Sequence, residues 1–537
     1  MIRLWPFRGG VHLDTQKAVS SVLPLADADL PSRLVFPLLQ RGGENAQPVV
    51  SVGERVLKGQ VIARGADSPV PPIHASSSGL IESIRPLPLP HPSGLCDWCI
   101  VIETDGRDEA VEMTGTADYR TLSPRSLRGL INEAGIVGLG GAGFPTAVKL
   151  DPPRSVDTLI LNGAECEPYI TCDDSLLRHF PQEVLEGARI LMHILGVPRC
   201  LLGIEDNMPE AIAALRSARQ RDGRSAIEVV PVPSIYPTGG EKQLIQLLTG
   251  REVPAHGIPA DAGVVCHNVG TAAAAFRAVV RGEPLISRIV TVTGRGVRQP
   301  RNLSVRIGTP IADLVRQCGG YSERAERLVL GGPMMGFSLA SDDLPIVKGA
   351  NCILVAAAGE LPSRGQTLPC IRCGACADIC PVNLLPQQLY WYSRARNLER
   401  AGEHQLLDCI ECGCCDTVCP SHIPLAQTFR AAKSQVIANG RERERAHHAR
   451  ARFEARLARK DEQRREQAEA AKRKREALSK PNGGEIARAI ERARARKQAA
   501  SPSQVSGSAH GSPGTVIQEP DETHGTCPVQ RPEPAEH

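Results

Sequence analysis

A multidomain chain of mixed α/β and α+β class is what the sequence predicts, and three observations predict it. Residues 123–280 alternate helix-like and strand-like patterns, as an α/β layer requires. Two flanking stretches, 34–104 and 284–350, are made instead of short strand patterns punctuated by Gly and Pro. Residues 370–420 then carry nine cysteines, eight of them in two copies of one spacing. At 537 residues the chain has room for three or four domains of roughly 150 residues each. Aromatics are only 3%, whereas Gly and Pro number 50 and 43, which favours turns and glycine-lined surfaces over large aromatic cores.

The first domain is expected over residues 1–120. Its lead-in, FRGGVHLDTQK, places a Gly pair before alternating Val11 and Leu13 and reads as an edge strand. VVSVGERVLKGQVIA alternates apolar and polar residues around Gly53 and Gly59, and HASSSGLIESI follows. This pattern is similar to biotinyl/lipoyl-type barrel-sandwich domains, whose hairpin carries a cofactor on a Lys. Here the turn is Ala75-Ser76-Ser77-Ser78-Gly79, without Lys, so a scaffold is expected rather than a swinging arm. Cys96 and Cys99 form an isolated Cys-x2-Cys before a strand and read as structural thiols.

Residues 121–282 form the α/β domain. SLRGLINEAGI has helical spacing with a Ser123-Pro124 start. VDTLILNGAECEP is a buried strand running into a loop, and SLLRHFPQEVLEGARILMHILGV reads as a helix. Strand–helix pairs follow: RCLLGIEDN with PEAIAALRSARQ, IEVVPV with EKQLIQLL, and AGVVCHNVG with TAAAAFRAVV. Residues 283–350 suit a small β-grasp module, with ISRIVTVTG and LSVRIG around the helix PIADLVRQC. Residues 360–430 hold the cysteines, 431–500 a charged helix, and 501–537 a Ser/Gly/Pro/His tail expected to be disordered.

Each cysteine copy reads Cys-x2-Cys-x2-Cys-x3-Cys-Pro, the run that holds cubane clusters in two-cluster ferredoxins. Three thiolates two residues apart wrap one cluster, and the fourth begins the next element and completes the other. The spacing therefore assigns Cys370, Cys373, Cys376 and Cys419 to one [4Fe-4S] centre. Cys409, Cys412, Cys415 and Cys380 hold the second, and Cys414 is a bystander. Zinc ribbons separate their Cys pairs more widely, and a disulfide scaffold needs an oxidising compartment.

No stretch supplies about 18 uninterrupted apolar residues, and MIRLWPFRGGVHL lacks the apolar core of a secretory signal. A place in the cytosol or against the cytosolic side of a membrane is expected. The formal charge of +4 is uneven: residues 441–500 hold 20 Lys and Arg against 10 Asp and Glu, leaving −6 elsewhere. The basic helix reads as a solvated, salt-bridged helix, or as a surface for anionic lipid or an acidic partner. Nucleic acid is not expected as a partner, because aromatics are not interleaved with the basic residues.

A second site is marked by G-L-G-G-A-G-F-P-T, with Gly138, Gly140, Gly141 and Gly143, and by Lys149 six residues on. The dinucleotide fingerprint follows a strand and opens a helix, whereas this run follows a helix and contains Pro145. Clustered glycines still present backbone N–H groups to a phosphate or a flat ring. Three strand-end loops add acids, amides and glycines: Asn162 to Pro168, Tyr236 to Lys242 and Cys266 to Thr271. Together they suggest a pocket for a phosphorylated planar cofactor.

GLGGAGFPT with Lys149, NGAECEP, YPTGGEK and HNVGT resemble the FMN- and NADH-binding subunit of respiratory complex I. The resemblance is closer to the RnfC component of the Rnf ion-translocating electron-transport complexes, because two ferredoxin motifs are present. It covers about residues 1–430 and includes the F-x-G-G-V-H-L start and an SLBB-type β-grasp. It implies that Gly138, Gly140, Gly141, Gly143, Lys149, Asn162, Glu165, Tyr236, Glu241 and Asn268 hold FMN or NADH. The chain departs from the complex I protein at Ala164 and Gly240, where that protein is acidic.

The implied activity is electron transfer between NADH, a flavin and the two clusters, as a subunit of a translocase-type NADH:ferredoxin oxidoreductase. No side chain is expected to act as a nucleophile. The implied partners are integral-membrane subunits and ferredoxin. The implied location is the cytoplasmic side of the bacterial inner membrane, with peripheral contact through the basic tail. Two alternatives stand beside it: a flavin–iron–sulfur reductase for a soluble acceptor such as cobalamin, and a non-catalytic electron-relay scaffold.

Overall fold

The computed structural model describes residues 3–39, 45–65, 70–222, 226–361, 365–479 and 483–499. The tail expected to be disordered lies outside them. The chain divides into one unit of residues up to Ala432 and a second beginning at Lys433.

The lead-in forms no edge strand. Gly9 and Gly10 both have positive φ, and Val11 makes a single antiparallel bridge to Tyr236. The Gly10 N–H donates to the Ile379 carbonyl at 3.0 Å, so the segment is pinned from two sides instead of extending. Two small antiparallel sheets follow. One runs in the order Arg33–Pro37, Cys96–Thr104, Gly79–Pro88, Arg55–Val56; the other in the order Gln47–Pro48, Val61–Arg64, Ile73–His74. Leu34, Phe36, Val56, Ile62, Ile81, Ile100 and Ile102 fill the space they enclose. The turn at Ala75–Gly79 is buried, with the Ser77 and Ser78 hydroxyls donating to Asp108 and Asp105 at 2.9 and 2.6 Å. Burial holds the Cys99 thiol up at about 12, as suits a structural cysteine.

Four parallel strands form the second sheet: Thr158–Gly163, Arg199–Glu205, Ile227–Val232 and Val264–Asn268. Their near-continuous apolar runs fit a sheet covered on both faces. In space the order is third, second, first, fourth. The segment SLLRHF…HILGV, expected as one helix, is two, Cys172–His179 and Pro181–Leu195. Pro181 forces the break, because the residue before a proline is driven out of the helical region. The second of these helices crosses Val269–Phe276 so closely that a Cβ on Gly187 would lie 1.9 Å from the Ala272 carbonyl oxygen. Asn268 ends its strand and caps that helix directly, accepting from the Gly270 N–H at 2.8 Å, with no loop between.

The third sheet has six strands, in the order Ala26–Asp27, Arg301–Arg306, Ser287–Thr293, Cys352–Ala357, Ala325–Leu330, Phe337–Ser338. The helix Ile311–Gln317 packs on it through Ile311, Leu314 and Val315. Cys352–Ala357 runs through the middle of this sheet, beyond residue 350. The cysteine segment folds as short helices, Ala375–Asp378, Pro386–Arg394, Leu398–Glu403 and Cys414–Thr417, and leads into the helix Leu425–Ser479.

In the second unit the side chains from 441 to 470 are exposed. Ion pairs such as Arg450–Glu454 run along the helix there, so the charged face is solvated. Among the described residues no helix is long and apolar enough to cross a membrane.

Candidate functional site

Strand order decides where a ligand can sit. The order reverses between Thr158–Gly163 and Val264–Asn268, and open parallel sheets bind ligands in the crevice beyond the strand ends at such a reversal. Asn162 and Asn268 are paired in register there. The Asn162 amide donates to the Gly239 carbonyl at 2.9 Å and its oxygen accepts from the Ala164 N–H at 3.0 Å. The Asn268 amide donates to Asp173 at 2.6 Å.

The glycine loop closes on itself and onto this crevice. The Gly138 N–H donates to the Phe144 carbonyl at 2.8 Å, and the Gly143 N–H donates to Gly138 at 3.0 Å. The Leu139 N–H donates to the Thr271 hydroxyl at 3.0 Å, and its carbonyl accepts from the buried Arg288 at 3.1 Å. Gly140 lies against Asn268: a Cβ there would sit 3.4 Å from the Asn268 Cβ. Gly141 and Gly143 have φ of +93° and +65°, which side chains rarely adopt. Lys149 and Glu241 form an ion pair across 92 residues of sequence. Burial pushes the nearby Cys266 thiol up to about 12, and Glu241 adds to it; His267 is held well below its usual range by burial and by Lys149. The structure thus brings Gly138, Gly140, Gly141, Gly143, Lys149, Asn162, Glu241 and Asn268 to one crevice.

The other two predicted residues make their contacts with neighbouring segments. The buried Glu165 carboxylate accepts from the Asp173 N–H at 2.9 Å, the Asp174 N–H at 3.3 Å and the Cys172 thiol at 3.2 Å. It holds the first turn of Cys172–His179, with Lys17 3.8 Å away. The buried Tyr236 hydroxyl donates to the Cys412 backbone carbonyl at 2.7 Å, in the cysteine segment.

Four buried polar atoms on the segments around the crevice have no hydrogen-bond partner among the described residues: Thr146 Oγ1, Thr238 Oγ1, Gln243 Oε1 and His267 Nε2. Buried polar groups are seldom left unpaired, so this set fits a ligand rich in donors and acceptors. A flavin nucleotide is one such ligand.

Cys380, Cys409, Cys412 and Cys415 line one pocket, walled by Leu384, Leu389, Ala426 and Phe429. Burial raises the Cys376 thiol, and Cys373 and Cys370 lie close enough to add to it. The Leu368 N–H donates to the Ser421 carbonyl, and the Ser421 hydroxyl donates to the Pro369 carbonyl, both at 2.9 Å. The start of the first motif therefore runs beside the end of the second, next to Cys419. The two motifs repeat in backbone conformation 39 residues apart: Arg372 and Glu411 have φ of +58° and +57°, Asn383 and His422 of +55° and +50°. Thiolate donors in an apolar pocket fit cubane clusters.

Several residues that matter here carry little sequence signal. Asp173 orients Asn268, and burial followed by the neighbouring Glu165 pushes its carboxyl up. Glu167 accepts from the Met334 and Met335 N–H groups at 2.6 and 3.0 Å, tying the NGAECEP loop to the third sheet's GGPMMG loop. Lys17 donates to the Glu165 and Ile170 carbonyls at 2.5 and 2.7 Å. The acids of CDDS at a helix start are a usable signal for Asp173; a lone Lys in an extended lead-in is none for Lys17.

Comparisons with known proteins match this layout domain by domain. Residues 5–107 match the RnfC barrel sandwich hybrid domain and 131–277 the Nuo51 FMN-binding domain. Residues 289–338 match the SLBB domain and 369–423 the 4Fe-4S dicluster domain. The RnfC protein of the ion-translocating oxidoreductase complex of Serratia proteamaculans is 46% identical over 94% of this chain and 72% of its own length. That of Pectobacterium carotovorum is 48% identical over 85% of this chain, which spans 61% of its length. A crystal structure of an NAD+-reducing [NiFe]-hydrogenase aligns with a TM-score of 0.42 at 19% identity, over 60% of this chain and 63% of that one, too slight a likeness to carry an argument. By its identity to these relatives across most of its length, the chain belongs to the RnfC family of ion-translocating oxidoreductase complex subunits.

Proposed function

We propose that the chain is the electron-input subunit of an ion-translocating complex, accepting reducing equivalents from NADH at the switch-point crevice and passing them to membrane-embedded subunits, or the reverse with ferredoxin as donor. A flavin turns a two-electron hydride donor into single electrons, and a cubane cluster takes one at a time. One observation carries the reading. The loop Tyr236 to Lys242 supplies Glu241 to the crevice and Tyr236 to the Cys412 carbonyl, so a single loop touches both redox sites.

The residues divide the work by chemistry. Gly138, Gly140, Gly141 and Gly143 let the backbone approach a flavin closely. Asn162 and Asn268 offer amides at the strand ends. Lys149 supplies positive charge for a phosphate, with Glu241 as its partner across the crevice. Glu165 keeps the neighbouring helix start in register. Cys370, Cys373, Cys376 and Cys419 hold one cluster, and Cys380, Cys409, Cys412 and Cys415 the other.

Peripheral attachment on the cytoplasmic face of the inner membrane belongs to the same reading, since that is where NADH is available as donor. The +10 charge of residues 441–500 suits an anionic lipid surface, where each cation contributes about 1 kcal/mol.

The test is FMN binding and NADH-driven reduction in Lys149→Met and Glu241→Ala, each with clusters reconstituted. Both variants should bind FMN at least about tenfold more weakly, while dithionite still reduces both clusters. Unchanged FMN affinity in both variants contradicts the assignment of the crevice.

A further inference from the structure

The two cysteine motifs share spacing and backbone conformation, yet their surroundings differ. Around the second motif, Cys412, Cys414 and Tyr236 are buried together, with Cys166, Met334 and Ile379 packed against them. A Cβ on Gly413 would lie 3.4 Å from the Met334 carbonyl oxygen, whereas one on the equivalent Gly374 would meet nothing within 4 Å. Cys373, the counterpart of Cys412, is exposed, and Ile371 beside it is 68% exposed. Among the described residues no side chain donates to the Cys373 carbonyl, while Tyr236 donates to that of Cys412 at 2.7 Å.

We infer that Tyr236 is a positioning residue that raises the reduction potential of the cluster held by Cys380, Cys409, Cys412 and Cys415. The inference rests on the proposed function for the clusters themselves. Reduction adds one electron and no proton, so the cluster and its thiolates become more negative. A hydroxyl dipole aimed at the peptide carbonyl of a ligand cysteine draws charge away from that side and favours the reduced form. Hydrogen bonding and exclusion of water near the ligands are the levers by which proteins shift cluster potentials. Tyr236 is anchored for this role. Its N–H donates to the Val11 carbonyl at 2.9 Å, and the Val11 N–H donates to its carbonyl at 2.8 Å. The adjoining Gly239 N–H donates to the Cys166 sulfur at 3.3 Å, which holds the same loop from the other side.

The experiment is an anaerobic dithionite titration with redox mediators, followed by EPR, on the full chain with both clusters reconstituted. Wild type is compared with Tyr236→Phe, which removes one oxygen and keeps the ring. Cys380→Ala identifies which reduction step belongs to the buried cluster. In Tyr236→Phe that step should move to lower potential, its reduced-to-oxidised ratio at fixed potential falling about fivefold for one lost hydrogen bond. The other step should stay in place. Selective loss of iron from the buried cluster would show a merely structural role and overturn the inference. If neither step moves, if both move together, or if both clusters are lost, the inference is overturned. Dithionite replaces NADH here, so a failure of electron entry at the crevice leaves this result readable.

Discussion

Gly140 separates the fold from the ligand. Its φ lies outside the positive region, so an alanine is acceptable to the backbone. The added Cβ would sit 3.4 Å from the Asn268 Cβ and 3.7 Å from its Cγ, an ordinary contact. Replacing Gly by Ala at a compatible site gains about 0.4–1 kcal/mol through the unfolded chain, and the close contact offsets part of it. Gly140→Ala should therefore leave the stability of the empty protein within about 0.5 kcal/mol. If the proposed site is right, the loop backbone at Gly140 approaches the flavin, so FMN affinity should fall at least tenfold, or about 1.4 kcal/mol. Gly140→Val goes further. Its γ-carbons press on Asn268, which is held by Asp173 at 2.6 Å and caps Gly270 at 2.8 Å. Overpacking costs about 1–3 kcal/mol, and a lost N-cap about 1 kcal/mol. In an Asn268→Ala background the valine should cost about 1 kcal/mol less than it does alone. The assay is flavin-fluorescence titration beside denaturant unfolding of the same samples. FMN affinity in Gly140→Ala equal to wild type would refute the reasoning, since the loop would then not be the seat of the flavin.

Cross-ligation predicts that Cys380→Ala removes the cluster of Cys409, Cys412 and Cys415, whereas Cys376→Ala removes the other; iron content should halve in each, and EPR should show different survivors. The same survivor in both would contradict the assignment. Lys348 is buried, donates to the Pro72 and Gly135 carbonyls at 2.8 Å each, and is held down to about 7 by burial. Between pH 7 and the usual lysine range the unfolded chain binds a proton that the folded one does not, so stability should rise with pH across that window. Lys348→Met should flatten that rise in urea unfolding measured against pH, and an undiminished slope would count against it. Glu183 pairs with both Arg277 and Arg281 at 2.7 Å, with side chains 25% and 43% exposed. Glu183→Gln should cost about 1–2 kcal/mol after allowing for that exposure, and a loss near zero would show the pairs to be idle.

Local chemistry makes much of the fold legible. The apolar run TLILNG fits only a covered strand, and Ser123-Pro124 carries its own helix start, the Ser123 hydroxyl accepting from the Ser126 N–H at 3.1 Å. The cysteine spacing proposes its ligands because reach along the chain is fixed over so few residues, and Cys380, Cys409, Cys412 and Cys415 do line one pocket. What stays hidden depends on long-range placement. The order of the parallel strands, and so the meeting of Asn162 with Asn268, is a property of crossovers that no local pattern encodes. Glu165 and Tyr236 sit in loops whose composition suggests a pocket, but the partner each finds is decided by packing: a helix start for one, a ligand carbonyl for the other. Cys352–Ala357 escapes a local reading because it joins the third sheet by pairing with Ser287–Thr293, distant in sequence. The helix break at Pro181 has a local signal, the proline itself, but the apolar period continues across it and masks the break.

The measurement that bears most directly on the electron-input role is an anaerobic NADH titration of the cluster-reconstituted chain, with and without added FMN, followed by bleaching of cluster absorption and the reduced-cluster EPR signal. The electron-input role predicts reduction by NADH that requires FMN. Clusters that respond to dithionite but not to NADH with FMN would contradict it and leave a relay fed by another protein.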